Sequence, residues 1–197
     1  MAEVTFKRGK EDLFATLYGD WTVGVVLCPP HPLYGGNRYD VRLVKIAREL
    51  VKQEISALSI DYKRYAGGEE EAKDVLAALT YMSQKVKALG LLGYSYGTLI
   101  ASEAAIQSPV KIKGLALLSP LEKINDLEIN LSSDCPKLLV CGRGDDFAIK
   151  DFEKLYLQAE GEKEKLILDT DHFYTGRGVI EQVSKKVAEF FSRVLKD

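Results

Sequence analysis

The chain has few of the cysteines and histidines that metal sites and disulfides require. Its 197 residues include only three cysteines, Cys28, Cys135 and Cys141, which are odd in number and show no C-x-x-C spacing. It has only two histidines, His31 and His172, which are far apart and outside any His-Glu-x-x-His pattern. We therefore expect no metal site, and reduced, buried thiols as is usual in a cytoplasmic protein.

The chain also lacks the marks of a membrane, nucleic-acid or nucleotide-binding protein. No apolar run is long enough to span a bilayer, and residues 1–10 are too charged for a signal peptide. The formal net charge is −2 with both signs interspersed, which favours no nucleic-acid partner. There is no P-loop pattern, and Gly142 and Gly144 are followed by Phe147 where a dinucleotide-binding pattern has its third glycine.

What the chain does have is an alternation of short apolar runs and amphipathic segments. Residues 4–7 and 13–18 predict an N-terminal hairpin, and the apolar runs 23–28, 55–60, 88–92, 114–119, 137–142 and 165–168 predict buried strands. Helical spacing predicts helices over 38–52, 69–86, 150–160 and 179–195, and a small-residue helix that ends at Ser108. The glutamates at 69–71 suit the dipole at the start of their helix.

This alternation predicts an α/β fold. Strands that follow one another through helices form right-handed βαβ units, so the sheet should be mostly parallel and twisted, with about eight strands and helices on both faces. The sequence shows no internal repeat, linker or low-complexity tract. Residues 1–197 are therefore expected to form one domain.

The segment Gly93-Tyr94-Ser95-Tyr96-Gly97 lies between a predicted strand and a small-residue helix. A serine at such a sharp strand-to-helix turn is pushed out of the sheet with its hydroxyl exposed, in front of a helix N-terminus. Side chains at Gly93 and Gly97 would collide with the neighbouring helix and strand, so both positions need glycine. Ser95 is therefore the candidate nucleophile.

A serine hydroxyl needs a base to take its proton and a third group to hold that base. His172 follows the last predicted strand, at the sheet edge where ligands gather, and is the candidate base. Asp145, which closes the turn after Cys141, is the favoured acid. Its neighbour Asp146 remains the alternative, because either aspartate could instead cap the following helix. Asp171 is too close in sequence to His172 to orient it easily.

The developing oxyanion of acyl transfer needs two hydrogen-bond donors. One should be the backbone N–H of Tyr96, at the start of the helix. The second should come from the loop after Cys28, in which Pro29, Pro30 and Pro32 have no N–H. The remaining candidates are the amides of His31, Leu33 and Tyr34, and His31 is favoured because its amide lies closest to the strand end.

The chain resembles the α/β-hydrolase superfamily over essentially its whole length. The order of the candidate residues matches that family: the nucleophile turn comes first, then the acid turn Gly142-Arg143-Gly144-Asp145, then the base in Asp171-His172-Phe173. Segment 30–36 resembles the oxyanion loop of a group of small prokaryotic esterase-like and dienelactone-hydrolase-like members, with Pro29 in place of the first histidine of their pattern. The resemblance implies the α/β-hydrolase fold and a cofactor-free hydrolase of ester-like bonds.

Superfamily members often carry a helical lid between the strands that correspond here to 114–119 and 137–142. The segment from Pro120 to Pro136 is too short for a lid domain. We therefore expect no cap and a site open to solvent, with Leu33, Tyr34, Tyr94 and Phe173 as candidate substrate-binding residues. Tyr96 and Tyr174 are further candidates for the aromatic lining.

The leading hypothesis is a serine hydrolase that cleaves small-molecule esters through an acyl-enzyme on Ser95. The same three residues would also serve a thioesterase or an acyltransferase. A third reading is a non-catalytic binding scaffold on the same fold, since one fold hosts many functions. All three triad positions are filled in order, which favours the enzyme. The sequence leaves open whether the chain is a monomer or a homodimer.

Overall fold

The computed structural model describes residues 1–196 and places the apolar runs in a large twisted sheet. Its strands are β1 (Ala2–Arg8), β2 (Glu11–Tyr18), β3 (Val23–Cys28), β4 (Ser56–Ile60), β5 (Ala88–Tyr94), β6 (Ile112–Leu118), β9 (Lys137–Gly142) and β10 (Lys163–Leu168). Two very short strands, β7 (Lys123–Ile124) and β8 (Leu127–Glu128), form a separate hairpin.

The eight main strands lie in the order β1-β2-β4-β3-β5-β6-β9-β10. Strand β2 is antiparallel to both β1 and β4, and every other neighbouring pair is parallel. The carboxyl ends of six parallel strands therefore meet along one edge of the sheet, where polar side chains of the connecting loops converge. The fold class that the sequence predicts is confirmed.

Five helices cover the two faces of this sheet: α1 (Val41–Lys52), α2 (Glu69–Ser83), α3 (Tyr96–Gln107), α4 (Ile149–Gln158) and α5 (Val179–Lys196). Helices α2, α3 and α4 bury their apolar residues in one core, and α1 and α5 bury theirs in the core on the opposite face. Within residues 1–196 no helix combines the length and apolarity needed to cross a bilayer.

Most element boundaries differ from the predicted ones by a few residues, for local reasons. Helix α1 begins at Val41 rather than at residue 38, because the Asp40 side chain accepts a hydrogen bond from the Arg42 amide and caps the helix. Helix α2 ends at Ser83 rather than at 86, where the Lys85 amide turns back to the Met82 carbonyl. The β7–β8 hairpin was not predicted, because two-residue strands leave no apolar run in the sequence.

A lysine is buried at the start of β9, at the edge of the sheet opposite to the candidate site. The side chain of Lys137 is fully buried, and its Nζ donates to the carbonyls of Cys135 (3.0 Å), Glu160 (2.7 Å) and Ser133. Burial lowers the pKa of this ammonium group. Lys137 thus ties two loops to the strand by satisfying three carbonyls at once.

We expect Lys137→Met to lower the free energy of unfolding by about 1–3 kcal/mol, because the carbonyls lose their common donor. Lys113→Met on the adjacent strand β6 is the matched control, since Lys113 is exposed and its change should stay within about 0.5 kcal/mol. Urea denaturation of both variants measures the difference. Equal stabilities would show that Lys137 does not stabilise these loops.

Candidate active site

Ser95 lies on a sharp turn between β5 and α3, as the sequence predicts for this segment. Its backbone has φ 54° and ψ −120°, a conformation that residues other than glycine rarely adopt. A Cβ at Gly93 would collide with the backbone of Gly97 and Thr98, and one at Gly97 would collide with the carbonyls of Cys28 and Pro29. The two glycines therefore let helix, strand and serine pack together at close range.

The structure brings Ser95, His172 and Asp145 into one continuous line of hydrogen bonds. His172 Nε2 lies 2.9 Å from Ser95 Oγ, and His172 Nδ1 lies 2.9 Å from each carboxylate oxygen of Asp145. The Asp145 side chain is fully buried and that of His172 is nearly so. Three residues from three separate loops therefore meet in the arrangement that activates a serine hydroxyl.

Asp145 is held as a carboxylate by its surroundings. Burial alone would raise the pKa of this carboxyl group, but hydrogen bonds from His172, Ser119 and the Ala148 amide outweigh it and lower the pKa below its ordinary value. The Phe147 amide donates to the same carboxylate at 3.2 Å. Asp145 is thus ionised at neutral pH and can stabilise positive charge on the imidazole of His172.

The two other aspartates considered as the acid make different contacts. Asp146 is exposed on the cavity wall and forms no hydrogen bond with His172. The Asp171 carboxylate accepts hydrogen bonds from the amides of Phe173 (3.1 Å) and Thr175 (2.9 Å), so it shapes the loop that carries His172. The Thr175 hydrogen bonds lower the pKa of Asp171. Among the three aspartates, Asp145 is the one that is hydrogen-bonded to His172.

Within residues 1–196, the backbone amides of Tyr96 and His31 donate to no acceptor. The other amides of the loop are engaged: that of Leu33 donates to His31 Nδ1 (3.3 Å) and that of Tyr34 to the His31 carbonyl (3.0 Å). A short 3₁₀ turn over Pro32–Tyr34 causes this pairing. Of the three candidates for the second donor, His31 is therefore the one that remains available.

The imidazole of His31 is packed among aromatic rings. Its ring centre lies 4.9 Å from that of Tyr34 and 4.7 Å from those of Tyr65 and Tyr96. Burial lowers the pKa of His31, partly opposed by the negative charge of Glu71. His31 is thereby held in its neutral form, and its ring serves to fix the loop that carries the free amide.

Glu71, on the first turn of α2, is a site-supporting residue that the sequence analysis missed. Its fully buried carboxylate accepts hydrogen bonds from the Tyr96 hydroxyl (3.0 Å) and from the amides of Ala66 (2.8 Å) and Gly68 (3.0 Å). It therefore links the serine turn to the 65–68 loop, whose Tyr65 packs on His31. The neighbouring Glu69 and Glu70, by contrast, pair with Lys73 near the surface.

Ser95 opens into a cavity of about 510 Å³ at this edge of the sheet. Of the predicted substrate-binding residues, Tyr34, Tyr94 and Phe173 line it. Leu33 does not line the cavity, because the 3₁₀ turn leaves its side chain 67% exposed, and its contact with substrate stays a prediction. The side chains of Tyr96 and Tyr174 are buried beneath the site and do not line it either.

One wall of the cavity comes from the segment that is too short for a lid. Leu121, Lys123 and Ile124, before and within β7, line the cavity together with Ser95 and His172. The hairpin rests on the 65–68 loop, with Asn125 Nδ2 3.4 Å from the Tyr65 hydroxyl. The site is thus open, as expected without a cap, but it has this additional wall. Among residues 1–196 no cluster of three or more potential ligands is placed to hold a metal ion.

The chain resembles proteins of known structure in its overall fold. No family model matches the chain. An uncharacterized protein of Rickettsia prowazekii is 26% identical over 180 residues, which cover 82% of this chain and 75% of that protein. A lidless α/β serine hydrolase from Xanthomonas campestris, 17% identical, matches 100% of this chain and 95% of its own with a TM-score of 0.82. Est1E from Butyrivibrio proteoclasticus, 16% identical, matches with a TM-score of 0.85 over 100% of both chains.

The chain therefore has the α/β-hydrolase fold in its lidless form. The structural match extends over the full length of the chain. The resemblance read from the sequence is confirmed at the level of fold.

We expect Glu71→Gln to lower the free energy of unfolding by about 1–3 kcal/mol, because the new amide group would face the Gly68 N–H and leave that donor without an acceptor. Glu69→Gln removes the same charge from the same helix turn, where the side chain is 82% exposed, so its change should stay within about 0.5 kcal/mol. Urea denaturation compares the two variants. If Glu69→Gln were as unstable as Glu71→Gln, the loss of stability would come from the helix dipole and not from the hydrogen bonds of Glu71.

Proposed function

We propose that this chain is a serine hydrolase that cleaves carboxylic esters of small molecules through an acyl-enzyme on Ser95. The observation that carries the proposal is the unbroken hydrogen-bonded line from Ser95 through His172 to Asp145. The structural neighbours described as serine hydrolases support it at the level of reaction class. A non-catalytic scaffold would have no need for a buried, ionised Asp145 aligned on His172.

The proposed reaction begins with Ser95 Oγ attacking the ester carbonyl while His172 Nε2 takes the hydroxyl proton. Asp145 stabilises the imidazolium that forms, and the amides of Tyr96 and His31 bind the oxyanion. His172 then gives its proton to the leaving alcohol as the carbon–oxygen bond breaks. Water, activated by the same imidazole, finally releases the acid from Ser95. The same steps would cleave a thioester, and no contact in the cavity favours that substrate specifically.

The proposed setting is the cytoplasm, which the sequence analysis already favours. The structure leaves Cys28, Cys135 and Cys141 as free thiols, two of them buried in the core. Burial raises the pKa of the Cys141 thiol to about 12, so this group is not a competing nucleophile at neutral pH. Ser95 is accordingly the proposed nucleophile at this edge of the sheet.

We expect the purified chain to react once with a fluorophosphonate probe and to hydrolyse short esters, with both activities lost in Ser95→Ala. Removing His172 or Ser95 should lower kcat by about 10⁴–10⁶, as in other triads. Intact-mass spectrometry measures the labelling, and a pH-stat or coupled assay follows the hydrolysis. A folded wild type that neither labels nor turns over any ester would overturn the proposal in favour of a scaffold.

The assignment of the acid is tested by a matched pair of variants. Asp145→Asn should lower kcat by about 10⁴, because the amide cannot hold His172 in the required tautomer. Asp146→Asn, one position further along the same turn, should stay within a few-fold of wild type, since Asp146 does not contact His172. The opposite ranking in ester hydrolysis would assign the role to Asp146.

A further inference from the structure

Two phenyl rings, those of Phe147 and Phe173, pack edge-on against His172 and line the cavity. The ring of Phe147 lies 5.3 Å from the imidazole centre and that of Phe173 lies 5.4 Å from it, both edge-on at 71° and 89°. Both rings line the cavity, yet they are 65% and 55% exposed. Large apolar side chains exposed together at a site usually mark a binding surface.

The backbones of these two residues are fixed, although their rings are exposed. The Phe147 amide donates to Asp145 Oδ1 (3.2 Å), and the Phe173 amide donates to Asp171 Oδ1 (3.1 Å). The Arg42 guanidinium also stacks over Phe173, with its central carbon 5.6 Å from the ring centre. The backbones of both residues, and on one side the ring of Phe173, are therefore positioned before any ligand arrives, which lowers the entropic cost of binding to them.

The position of His172 indicates which part of an ester these rings would meet. In the proposed reaction His172 Nε2 protonates the oxygen of the departing alcohol, so that oxygen must come within hydrogen-bond reach of the imidazole. The remainder of the alcohol then extends from His172 across the rim of the cavity. Phe147 and Phe173 are the two phenyl rings that line the cavity next to this imidazole, at 5.3 Å and 5.4 Å from its centre.

We propose that Phe147 and Phe173 form a clamp for the alcohol part of the substrate, and that this alcohol carries a flat aromatic ring. The inference rests on the proposed function. The reaction is an ordinary hydrolysis: the ester's carbon–oxygen bond breaks, water supplies the new oxygen of the acid, and the aromatic alcohol leaves with the proton delivered by His172. A flat ring can contact two phenyl rings face or edge at once, which a puckered aliphatic ring does less well.

The clamp is tested with benzyl acetate and cyclohexylmethyl acetate, two esters with alcohols of similar size and reactivity, one flat and one puckered. Wild type should favour the benzyl ester in kcat/KM. In Phe147→Leu and in Phe173→Leu the ratio of the two kcat/KM values should fall about two- to tenfold, because leucine keeps apolar bulk but removes the ring. Phe14→Leu, which changes an exposed phenylalanine on β2 away from the site, should leave the ratio unchanged.

A second measurement does not depend on turnover of either ester. Benzyl alcohol should inhibit hydrolysis of methyl acetate by wild type more strongly than cyclohexylmethanol does, and both leucine variants should lose that difference. If wild type hydrolyses the two esters with equal kcat/KM and is inhibited equally by the two alcohols, the clamp is overturned. Fluorophosphonate labelling of Ser95 would in that case still uphold the hydrolase. Absence of labelling and of all ester turnover would overturn both proposals.

Discussion

The site depends on one strained residue, Ser95, which is held in a backbone conformation that costs about 1–3 kcal/mol in isolation. The structure keeps it there by packing backbone directly against backbone. Gly97 abuts the carbonyls of Cys28 and Pro29, so the serine turn touches the loop that carries His31. The position of the hydroxyl and the position of both free amides are therefore set by the same contact between the ends of β3 and β5.

Two buried carboxylates hold the groups on either side of Ser95. Asp145 fixes His172 on one side, and Glu71 fixes the Tyr96 hydroxyl and the 65–68 loop on the other. Each accepts at least three hydrogen bonds, which is what makes a buried negative charge tolerable. Because each carboxylate is buried, a small displacement of either loop would leave a buried acceptor unsatisfied, which favours the observed loop positions.

The sequence was sufficient to predict the strands, and to predict that Ser95, Asp145 and His172 would lie close together, because both depend on local patterns. Continuous apolar runs specify buried parallel strands, and each of the three residues lies in the loop that follows such a strand. Glu71 could not be found in the same way, since beside Glu69 and Glu70 it looks like one more exposed glutamate at a helix start. Its burial depends on how the 65–68 loop and the β7–β8 hairpin fold over α2. The exposure of Leu33 could not be predicted either, because it depends on the short 3₁₀ turn over Pro32–Tyr34.

The side chains at the exposed rim of the cavity contribute less to the stability of the fold than the buried residues of the site do. Phe147 and Phe173 bury too little surface to stabilise the fold much, yet their amides are tied to Asp145 and Asp171, the carboxylates that set the acid turn and the histidine loop. Asp145 accepts hydrogen bonds both from His172 and from the amide of Phe147, and Asp171 accepts one from the amide of Phe173, the residue next to His172. Under the two proposals, a change in either carboxylate would therefore affect both the base and the apolar rim that meets the departing group.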